Sequence, residues 1–330
     1  GASMMFGSVS GSAIASVSAI GATLGPMMRD KGYDADYAVN VASTAAITGL
    51  LIPPSHNMII FVAAAGVSIS LADLFLAGVI PGIVAGLLLM VAAWLVAVKR
   101  KYPRGAFPGW RAFMAALGAA IPGLIAAAII MVGVLSGVFT ATESSAIAVI
   151  YTIAVAIVVY RSLSWAGFVA ATTAAIRTTA MVMVIIGAAA AFGWLLALLQ
   201  APAQLADLLR GITENPFLLL LLINLVLLLL GTFMDMAPLI IITTPIFLPM
   251  SLDLGMDPVH FGIMLILNLG IGLVTPPVGS VLFVGCAIGG IPVEKAVRTI
   301  WPFYLALLVA LALVIYIPAM SLWLPELLNR

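Results

Sequence analysis

Small polar residues gather at four points where apolar segments are interrupted by glycine or proline. The members of this set are Ser8, Ser10, Gly11, Ser12, Pro53, Pro54, Ser55, Asn57, Gly231, Thr232, Asp235, Thr275, Pro276, Pro277 and Ser280. Broken helices and hairpin tips expose carbonyls, free amides and hydroxyls, which are groups that hold a dehydrated Na⁺ or an anionic solute. Small residues also let helices pack closely, so any single hydroxyl fits packing as well as ligation. Together the four interruptions predict an ion or solute site.

The composition indicates that these groups lie within a membrane. Hydrophobic residues make up 64% of the 330-residue chain and charged residues 8%, and the mean hydropathy is +1.28. Several segments exceed the ~20 apolar residues that span a bilayer, among them 74–98, 113–138, 179–199 and 300–324. Continuous apolar runs exclude a transmembrane β-barrel, whose strands alternate apolar and polar residues. The backbone within lipid must form its hydrogen bonds internally, as it does in a helix. We therefore predict an all-α polytopic membrane protein.

An internal repeat relates residues 26–66 to residues 249–289. The two Pro-Pro pairs differ by 276 − 53 = 223 positions, and at that offset 11 of 41 aligned residues are identical. About four identities are expected by chance in so apolar a composition. Segments broken at equivalent positions are typical of transporters built from two related halves, with the transport site between them.

The basic residues predict that the two halves are inverted. Lys and Arg cluster around residues 29–31, 99–111, 161–177 and 295–298. Placing these clusters in the cytoplasm orients every segment without contradiction. The first Pro-Pro segment then crosses outward and the second crosses inward.

Each Pro-Pro segment follows a predicted re-entrant helical hairpin. Residues 216–250 contain two apolar stretches joined by a tip at 231–238, and both ends of this segment must face outside. The offset places the matching tip at 7–15, with a descending limb at 13–28. The first hairpin therefore opens inward and the second outward.

Two ionisable residues are candidates at membrane depth. An unpaired charge such as that of Asp235 costs at least ~2.5 to 3.5 kcal/mol there, so a functional role is the default. Asp235 could coordinate a cation directly or cap the tip amides, and the second role is favoured because a tight tip needs such a brace. His56 is a possible substrate contact, although a single membrane histidine is more often a packing residue.

The two halves also predict the domain organisation. We expect a first-repeat transport domain at 1–73, scaffold and arm helices at 74–215, a second-repeat transport domain at 216–290 and a C-terminal scaffold helix at 291–330. The second half carries residues 113–215 ahead of its hairpin, whereas the first half starts near its tip. We expect roughly 100 N-terminal residues, with about three helices, to be missing from this sequence.

Two local patterns predict helix starts. Thr140 and Glu143 have the spacing of a capping box at the start of a helix. An amphipathic stretch beginning near Ser164 predicts a helix that lies along the inner surface before segment 179–199.

Several motifs resemble the large membrane subunit of tripartite ATP-independent periplasmic (TRAP) transporters, the DctM type. The resemblance covers the entire chain and rests on residues 7–13, 31–34, 52–57, 142–143, 233–235 and 274–279. It implies an elevator fold with inverted repeats, Na⁺ coupling, a small four-helix membrane subunit and a periplasmic solute-binding protein. By resemblance, the tips and Pro-Pro breaks would form the Na⁺ sites and flank the solute. The chain departs from the family in lacking the N-terminal helices.

The sequence thus predicts a transport protein of the bacterial inner membrane rather than an enzyme. Na⁺ ions bound behind each tip would order the site for a small organic anion of the carboxylate class, and the hairpin domain would move against the scaffold. No cofactor besides the coupling Na⁺, no ATP and no nucleic acid is expected, because no Walker-type loop occurs. A carrier of similar fold that needs no binding protein remains an alternative. An intramembrane serine hydrolase is another, although no Gly-x-Ser-x-Gly elbow occurs.

Overall fold

A computed structural model describes residues 1–103, 109–200, 204, 208, 211–213 and 215–328, with the backbone alone described at 8, 9, 189 and 197. Within this part the chain forms fifteen α-helices and no strand. The first eight are α1 Ala2–Ser10, α2 Ala13–Asp30, α3 Ala35–Thr48, α4 His56–Ala64, α5 Leu71–Lys99, α6 Trp110–Leu135, α7 Ala141–Val158 and α8 Trp165–Leu198. The others are α9 Pro216–Gly231, α10 Met236–Asp253, α11 Pro258–Gly272, α12 Ser280–Gly289, α13 Val293–Thr299, α14 Trp301–Tyr316 and α15 Ala319–Leu328. Most of the predicted outer loop 200–215 lies outside the described residues.

The helices are long and apolar enough for a multi-pass membrane protein. Among the described residues, five helices qualify as spans by length and composition, or up to eight if each bent helix pair counts as one span. The helices before and after the first Pro-Pro pair, α3 and α4, form such a pair with a bend of 51°. The prediction of an all-α polytopic membrane protein is confirmed.

Two compact units divide the chain. The first comprises residues 1–103 and 189–330, and the second comprises residues 104–188. In the first unit α5 packs against α3, α14 and α15, and its Leu74 and Phe75 are fully buried. Helices α5 and α14 belong to this unit together with α1, α2, α9 and α10. The predicted division into transport domains and scaffold stays a prediction, because contacts within one structure do not show which helices move together.

Helix α11 forms the centre of the first unit. Every residue from His260 to Gly272 is buried, as expected for a helix that is apolar on all sides. It packs against α5, α9, α10 and α14. Its Asn268 donates from Nδ2 to Oδ1 of Asn224 on α9, at 2.8 Å, which satisfies a polar group that would otherwise be costly to bury.

The helix boundaries repeat at the offset found in the sequence. Adding 223 to the bounds of α2, 13 and 30, gives 236 and 253, the bounds of α10. In the same way 35 + 223 = 258, so α3 and α11 start at equivalent residues. After the breaks, α12 packs against α2 and α3, while α4 packs against α10. The helix that follows each break therefore contacts the hairpin limb of the other half.

The segment predicted as a single span at 300–324 is two helices, α14 and α15, bent by 59°. Pro318 lies between them and has no N–H, so the carbonyl of Val314 lacks its helical donor. The buried His260 satisfies this carbonyl, because its Nε2 lies 2.6 Å from Val314 O and must donate to it. The bend follows from Pro318, which a prediction from hydropathy alone did not take into account.

The second unit contains α6, α7 and the first part of α8. The capping box at Thr140 and Glu143 is confirmed, with Glu143 N donating to Thr140 Oγ1 at 3.2 Å and Thr140 N to Glu143 Oε2 at 2.8 Å. The separate surface helix expected near Ser164 is wrong, since α8 is one helix of 34 residues. No proline interrupts it, so nothing in the local sequence ends the helix before residue 179.

Candidate functional site

Three of the four interruptions, together with Leu273 just before the fourth, line one cavity in the first unit. The space between its walls, including the open mouth, is about 310 Å³. The lining residues are Ser12, Ala13, Ile14, Leu50, His56, Asn57, Asp235, Met236, Ala237 and Leu273. The fold thus brings together residues that lie more than 200 positions apart in the sequence.

Gly11 joins the first tip to the first break. Its φ of 63° is in the left-handed region that favours glycine. A Cβ atom at Gly11 would lie 2.9 Å from His56 Nδ1, so a side chain would also clash there. Asn57 donates from Nδ2 to Gly11 O at 3.5 Å. The tip can approach the break this closely only because residue 11 is glycine.

The second tip and the second break are joined by backbone hydrogen bonds. The carbonyl of Thr232 accepts from Val278 N at 3.1 Å and from Gly279 N at 3.3 Å. The hydroxyl of Thr232 donates to Leu229 O, and that of Thr275 donates to Ile271 O, both at 2.7 Å. Each hydroxyl therefore donates to a carbonyl of its own helix, while its oxygen keeps its lone pairs, so its role as a ligand stays a prediction.

Three polar oxygens at the breaks have no hydrogen-bond partner among the described residues. They are Ser55 Oγ, Asn57 Oδ1 and Ser280 Oγ. Ser55 is fully buried and Asn57 is 2% exposed. Of the three, only Asn57 also lines the cavity, so its Oδ1 is the oxygen that a ligand in the cavity could reach.

The structure contradicts the favoured role of Asp235. This residue occupies the N-cap position of α10, but its side chain makes no cap hydrogen bond. Ser12, the equivalent residue because 235 − 223 = 12, does cap α2 by accepting from Ala15 N at 3.3 Å. The tip is closed by backbone hydrogen bonds instead, which leaves the exposed Asp235 carboxylate free to line the cavity.

Three helices begin at the cavity wall. Their first residues are Ala13 of α2, His56 of α4 and Met236 of α10, and each lines the cavity. The start of a helix carries partial positive charge and free N–H groups, both of which favour an anion. The cavity therefore combines anion-favouring backbone with the carboxylate of Asp235 and the oxygen of Asn57.

Not every predicted site residue lines this cavity. Pro53, Pro54, Pro276 and Pro277 form the breaks without lining it, and both Pro-Pro peptide bonds are cis. Ser10 donates to Ser12 O at 3.2 Å and supports the tip from within. The side chain of Ser8 lies outside the described residues. The sequence analysis did not predict the apolar residues that line the cavity. The only feature that could have indicated them is that they are next to the breaks in the sequence.

Sequence reasoning also missed an ionic cluster away from the cavity. Arg100, just after α5, donates from Nη2 to Asp36 Oδ2 at 2.9 Å and from Nη1 to Asp34 Oδ2 at 3.0 Å. Tyr102 donates to Asp34 Oδ2 at 2.7 Å. Burial, together with the hydrogen bond to Asp34, raises the pKa of Tyr102 to about 12. The feature that could have predicted this cluster is the presence of two carboxylates and an arginine at the ends of apolar segments.

A multi-pass helical membrane protein with a polar cavity among interrupted helices is a membrane transporter by architecture. Comparison with known proteins identifies the family. Residues 1–320 match the family described as tripartite ATP-independent periplasmic transporter, DctM component. The chain belongs to this family, and the resemblance seen in its motifs is confirmed.

Several relatives align with nearly the whole chain. It is 43% identical to the uncharacterized protein YgiK of Salmonella typhimurium, over 99% of this chain and 74% of YgiK. It is 39% identical to the C4-dicarboxylate TRAP transporter large permease protein DctM of Pseudomonas aeruginosa, over 98% of this chain and 76% of that protein. It is also 39% identical to the sialic acid TRAP transporter large permease protein SiaM of Vibrio cholerae, over 99% of this chain and 76% of that protein.

The family and its named members are permeases rather than enzymes. The serine hydrolase alternative has no support in the geometry either. Ser12 and His56 line the same cavity, yet among the described residues no hydrogen bond joins them. The Ser12 hydroxyl instead caps its own helix, so the nucleophile and base of a hydrolase are not arranged.

Proposed function

We propose that this large permease subunit imports a small organic anion together with Na⁺, across the inner membrane of a bacterium. It would act with a small four-helix membrane subunit and a periplasmic binding protein that delivers the solute. This assignment is supported by the family description, which includes the words tripartite and periplasmic. It is also supported by the relatives named for C4-dicarboxylate and sialic acid transport. The observation that carries it is the cavity that three of the four interruptions line, together with Leu273 just before the fourth.

The cavity favours a carboxylate through backbone groups rather than through basic side chains. The starts of α2, α4 and α10 line it, whereas no Lys or Arg does. Free N–H groups at helix starts can bind one carboxylate of a solute, as they do in other transporters with broken helices. His56 would contact the solute from the start of α4.

The same cavity carries the oxygen groups that a Na⁺ ion needs. Asn57 offers an unpartnered carbonyl oxygen and Asp235 a carboxylate that caps no helix. Hard cations are held by such oxygens, together with backbone carbonyls at the tips. A Na⁺ beside Asp235 would also offset the repulsion between that carboxylate and an anionic solute. This offset gives a physical reason for coupling: the solute binds well only where the cation already does.

The arrangement of the first unit supports an alternating-access mechanism of the elevator type. Helix α4 packs against α10 and α12 packs against α2, an exchange that suits two inverted halves around one site. As the sequence predicted, we take the hairpins and broken helices within 1–73 and 216–290 as the moving body. Residues 74–98, 113–161 and 300–324 would form the main part of the scaffold.

Uptake measured in proteoliposomes of the assembled transporter tests the proposal. Uptake of a radiolabelled organic anion should require an inward Na⁺ gradient and should fall to background when K⁺ replaces Na⁺. The matched control is an inward Na⁺ gradient with liposomes that lack the large subunit. Transport that continues undiminished in K⁺ would contradict the Na⁺ coupling.

A further inference from the structure

Most residues that line the candidate site form pairs related by the repeat. The offset of 223 positions matches Ser12 with Asp235, Ala13 with Met236, Ile14 with Ala237 and Leu50 with Leu273. The other two lining residues, His56 and Asn57, correspond to Gly279 and Ser280, since 56 + 223 = 279 and 57 + 223 = 280. Neither of these counterparts lines the cavity. The first half therefore contributes two polar side chains that the second half does not match.

The two unmatched side chains differ in their exposure. Asn57 is buried, donates to the first tip and has its Oδ1 as the oxygen proposed for Na⁺. His56 is the first residue of α4 and is exposed. Its counterpart Gly279 has a φ of 43° and no side chain. The imidazole of His56 is therefore a feature of one half only, and it is accessible to a solute in the cavity.

The first tip holds one ring nitrogen of His56. The backbone of Gly11 is the hydrogen-bond partner of the ring, and Nδ1 is the ring atom nearest to residue 11, at 2.9 Å from where a Cβ atom would stand. The N–H of Gly11 already donates to Gly7 O at 2.8 Å, so the ring donates from Nδ1 to the Gly11 carbonyl. Asn57 donates to the same carbonyl, which has two lone pairs. The tip therefore fixes which ring nitrogen carries the proton.

The other ring nitrogen, Nε2, is then a hydrogen-bond acceptor. A neutral imidazole has one N–H donor and one acceptor nitrogen, and a charge at membrane depth is costly, so the ring is neutral there. Asp235 is near enough to act on the ring through its charge, but Gly11 is the ring's hydrogen-bond partner among the described residues. An acceptor nitrogen pairs with an O–H group and not with a carboxylate or keto oxygen. Nε2 therefore suits a solute that carries a hydroxyl group.

We propose that His56 selects hydroxylated carboxylates, such as 2-hydroxy acids and sugar acids, over the same acids without a hydroxyl group. The carboxylate of the solute would lie at the helix starts, and its hydroxyl group would donate to Nε2 of His56. The inference rests on the proposed transport function and adds the class of solute to it. A solute without the hydroxyl group would leave Nε2 unpaired when it fills the cavity, which weakens its binding.

Thermal stabilisation of the assembled membrane subunits by added acids tests this selection. The binding protein is left out, because its own specificity would otherwise decide which solute is taken up. The probes are lactate with propanoate, malate with succinate, and gluconate with hexanoate, since the members of each pair have the same charge and chain length and differ in hydroxyl groups. In Na⁺ medium, the hydroxylated member should reach half of its maximal shift in melting temperature at a concentration about tenfold lower than its partner.

Two variants assign the preference to His56. His56→Phe keeps an aromatic ring and removes the acceptor nitrogen, so the two members of a pair should bind about equally. His56→Gln has an amide oxygen that accepts a hydrogen bond, so it should keep much of the preference. Both variants change the contact with Gly11, and a purely structural role would therefore affect them alike. The comparison within each pair of acids in the wild type needs no variant and decides the matter if His56→Phe does not fold.

Two results would overturn the role of His56 and leave the proposed transport in place: equal half-maximal concentrations within every pair for the wild type, or a His56→Phe variant that keeps the wild-type preference. A wild type that none of these acids stabilises more in Na⁺ than in K⁺ would instead contradict the proposed function, and this inference with it.

Discussion

Asn57 shows how one side chain can hold a site together and remain available to a ligand. Its Nδ2 donates to the carbonyl of Gly11 across the first tip, and its Oδ1 is buried without a partner among the described residues. An unpaired buried carbonyl oxygen costs about 1 to 3 kcal/mol, so a cation that pairs with it gains affinity. At the residue scale the proposed Na⁺ dependence therefore depends first on this amide.

Asn57→Ala should raise the Na⁺ concentration for half-maximal uptake by about tenfold, because both the ligand oxygen and the bond to Gly11 are lost. The measurement is solute uptake against Na⁺ concentration in proteoliposomes. Asn40→Ala is the matched control, since Asn40 is buried on α3 and donates to Ala296 O and Thr299 Oγ1 away from the cavity. It should lower the melting temperature and leave the Na⁺ dependence unchanged. A normal Na⁺ dependence in Asn57→Ala would contradict the assigned role.

Asp235→Ala should weaken Na⁺-driven uptake by about tenfold without lowering the melting temperature, because no cap hydrogen bond is lost. Ser12→Ala is the comparison, since Ser12 does cap its helix and such a loss costs about 0.5 to 2 kcal/mol. Thermal unfolding in detergent distinguishes the two variants. If Asp235→Ala is destabilised as much as Ser12→Ala, the carboxylate is a structural brace after all.

Close glycine contacts fix the hairpins at the scale of the elements. A Cβ atom at Gly272 of α11 would lie 2.5 Å from the carbonyl carbon of Gly231 of α9. In the first half, a Cβ atom at Gly7 of α1 would lie 2.8 Å from Gly49 Cα. Small residues allow helix backbones to approach this closely in membranes. Each tip is therefore positioned by the glycine at its first residue and by the glycine just before the break.

Gly272→Ala should destabilise the protein by about 1 to 3 kcal/mol, because the added methyl group has no space and the two helices must separate. Gly118→Ala provides the control, since its Cβ meets nothing within 4 Å and alanine favours a helix over glycine. Melting temperatures of the purified variants compare them. Equal melting temperatures would mean that α9 and α11 are not in contact at Gly231.

The Tyr102 hydroxyl should give stability a pH dependence in the alkaline range. Its pKa is raised from 10.0 to about 12, so above pH 10 the unfolded chain releases a proton that the folded protein keeps. This contribution is constant below pH 10 and is lost as the pH rises to about 12. Denaturant unfolding of the wild type and of Tyr102→Phe, compared between pH 9 and 12, isolates the effect. The difference between the two proteins should shrink over this window, and a difference independent of pH would contradict the assignment.

At the scale of the whole molecule, the proposed transport would depend on parts outside this chain. The family is described as tripartite and periplasmic, and the chain aligns with about three quarters of its named relatives. The cavity is lined by one carboxylate and one histidine but by no Lys or Arg, so under the proposed coupling it would favour an anionic solute only when Na⁺ is also bound. A protein that presents the solute at the outer surface would raise its local concentration at such a site.

Liposomes that contain the assembled membrane subunits should therefore take up little solute until the binding protein is added outside. Uptake should rise at least about tenfold with the cognate binding protein, and a binding protein specific for an unrelated solute serves as the control. Full uptake with the membrane subunits alone would favour the alternative of a carrier that needs no binding protein.

The sequence by itself predicted much of the architecture, because the signals were local and strong. Long apolar runs require helices in a bilayer. Pro-Pro pairs end helices wherever they stand, so α3 and α4 and the start of α12 followed from residues 53–54 and 276–277. The capping box at Thr140 was equally readable, since its two hydrogen bonds lie within four residues. Each of these features depends on neighbours in the chain.

Only the tertiary structure decided which distant groups meet. It brought Ser12, Asn57 and Asp235 to one cavity. It also placed His260 where its Nε2 donates to the carbonyl of Val314, which Pro318 leaves without a helical donor. A hydropathy pattern does not distinguish one apolar surface from another, whereas packing depends on the shape of the surface that each helix contacts. Local hydrogen bonds and hydrophobicity therefore determined the helices, and three-dimensional fit determined the site.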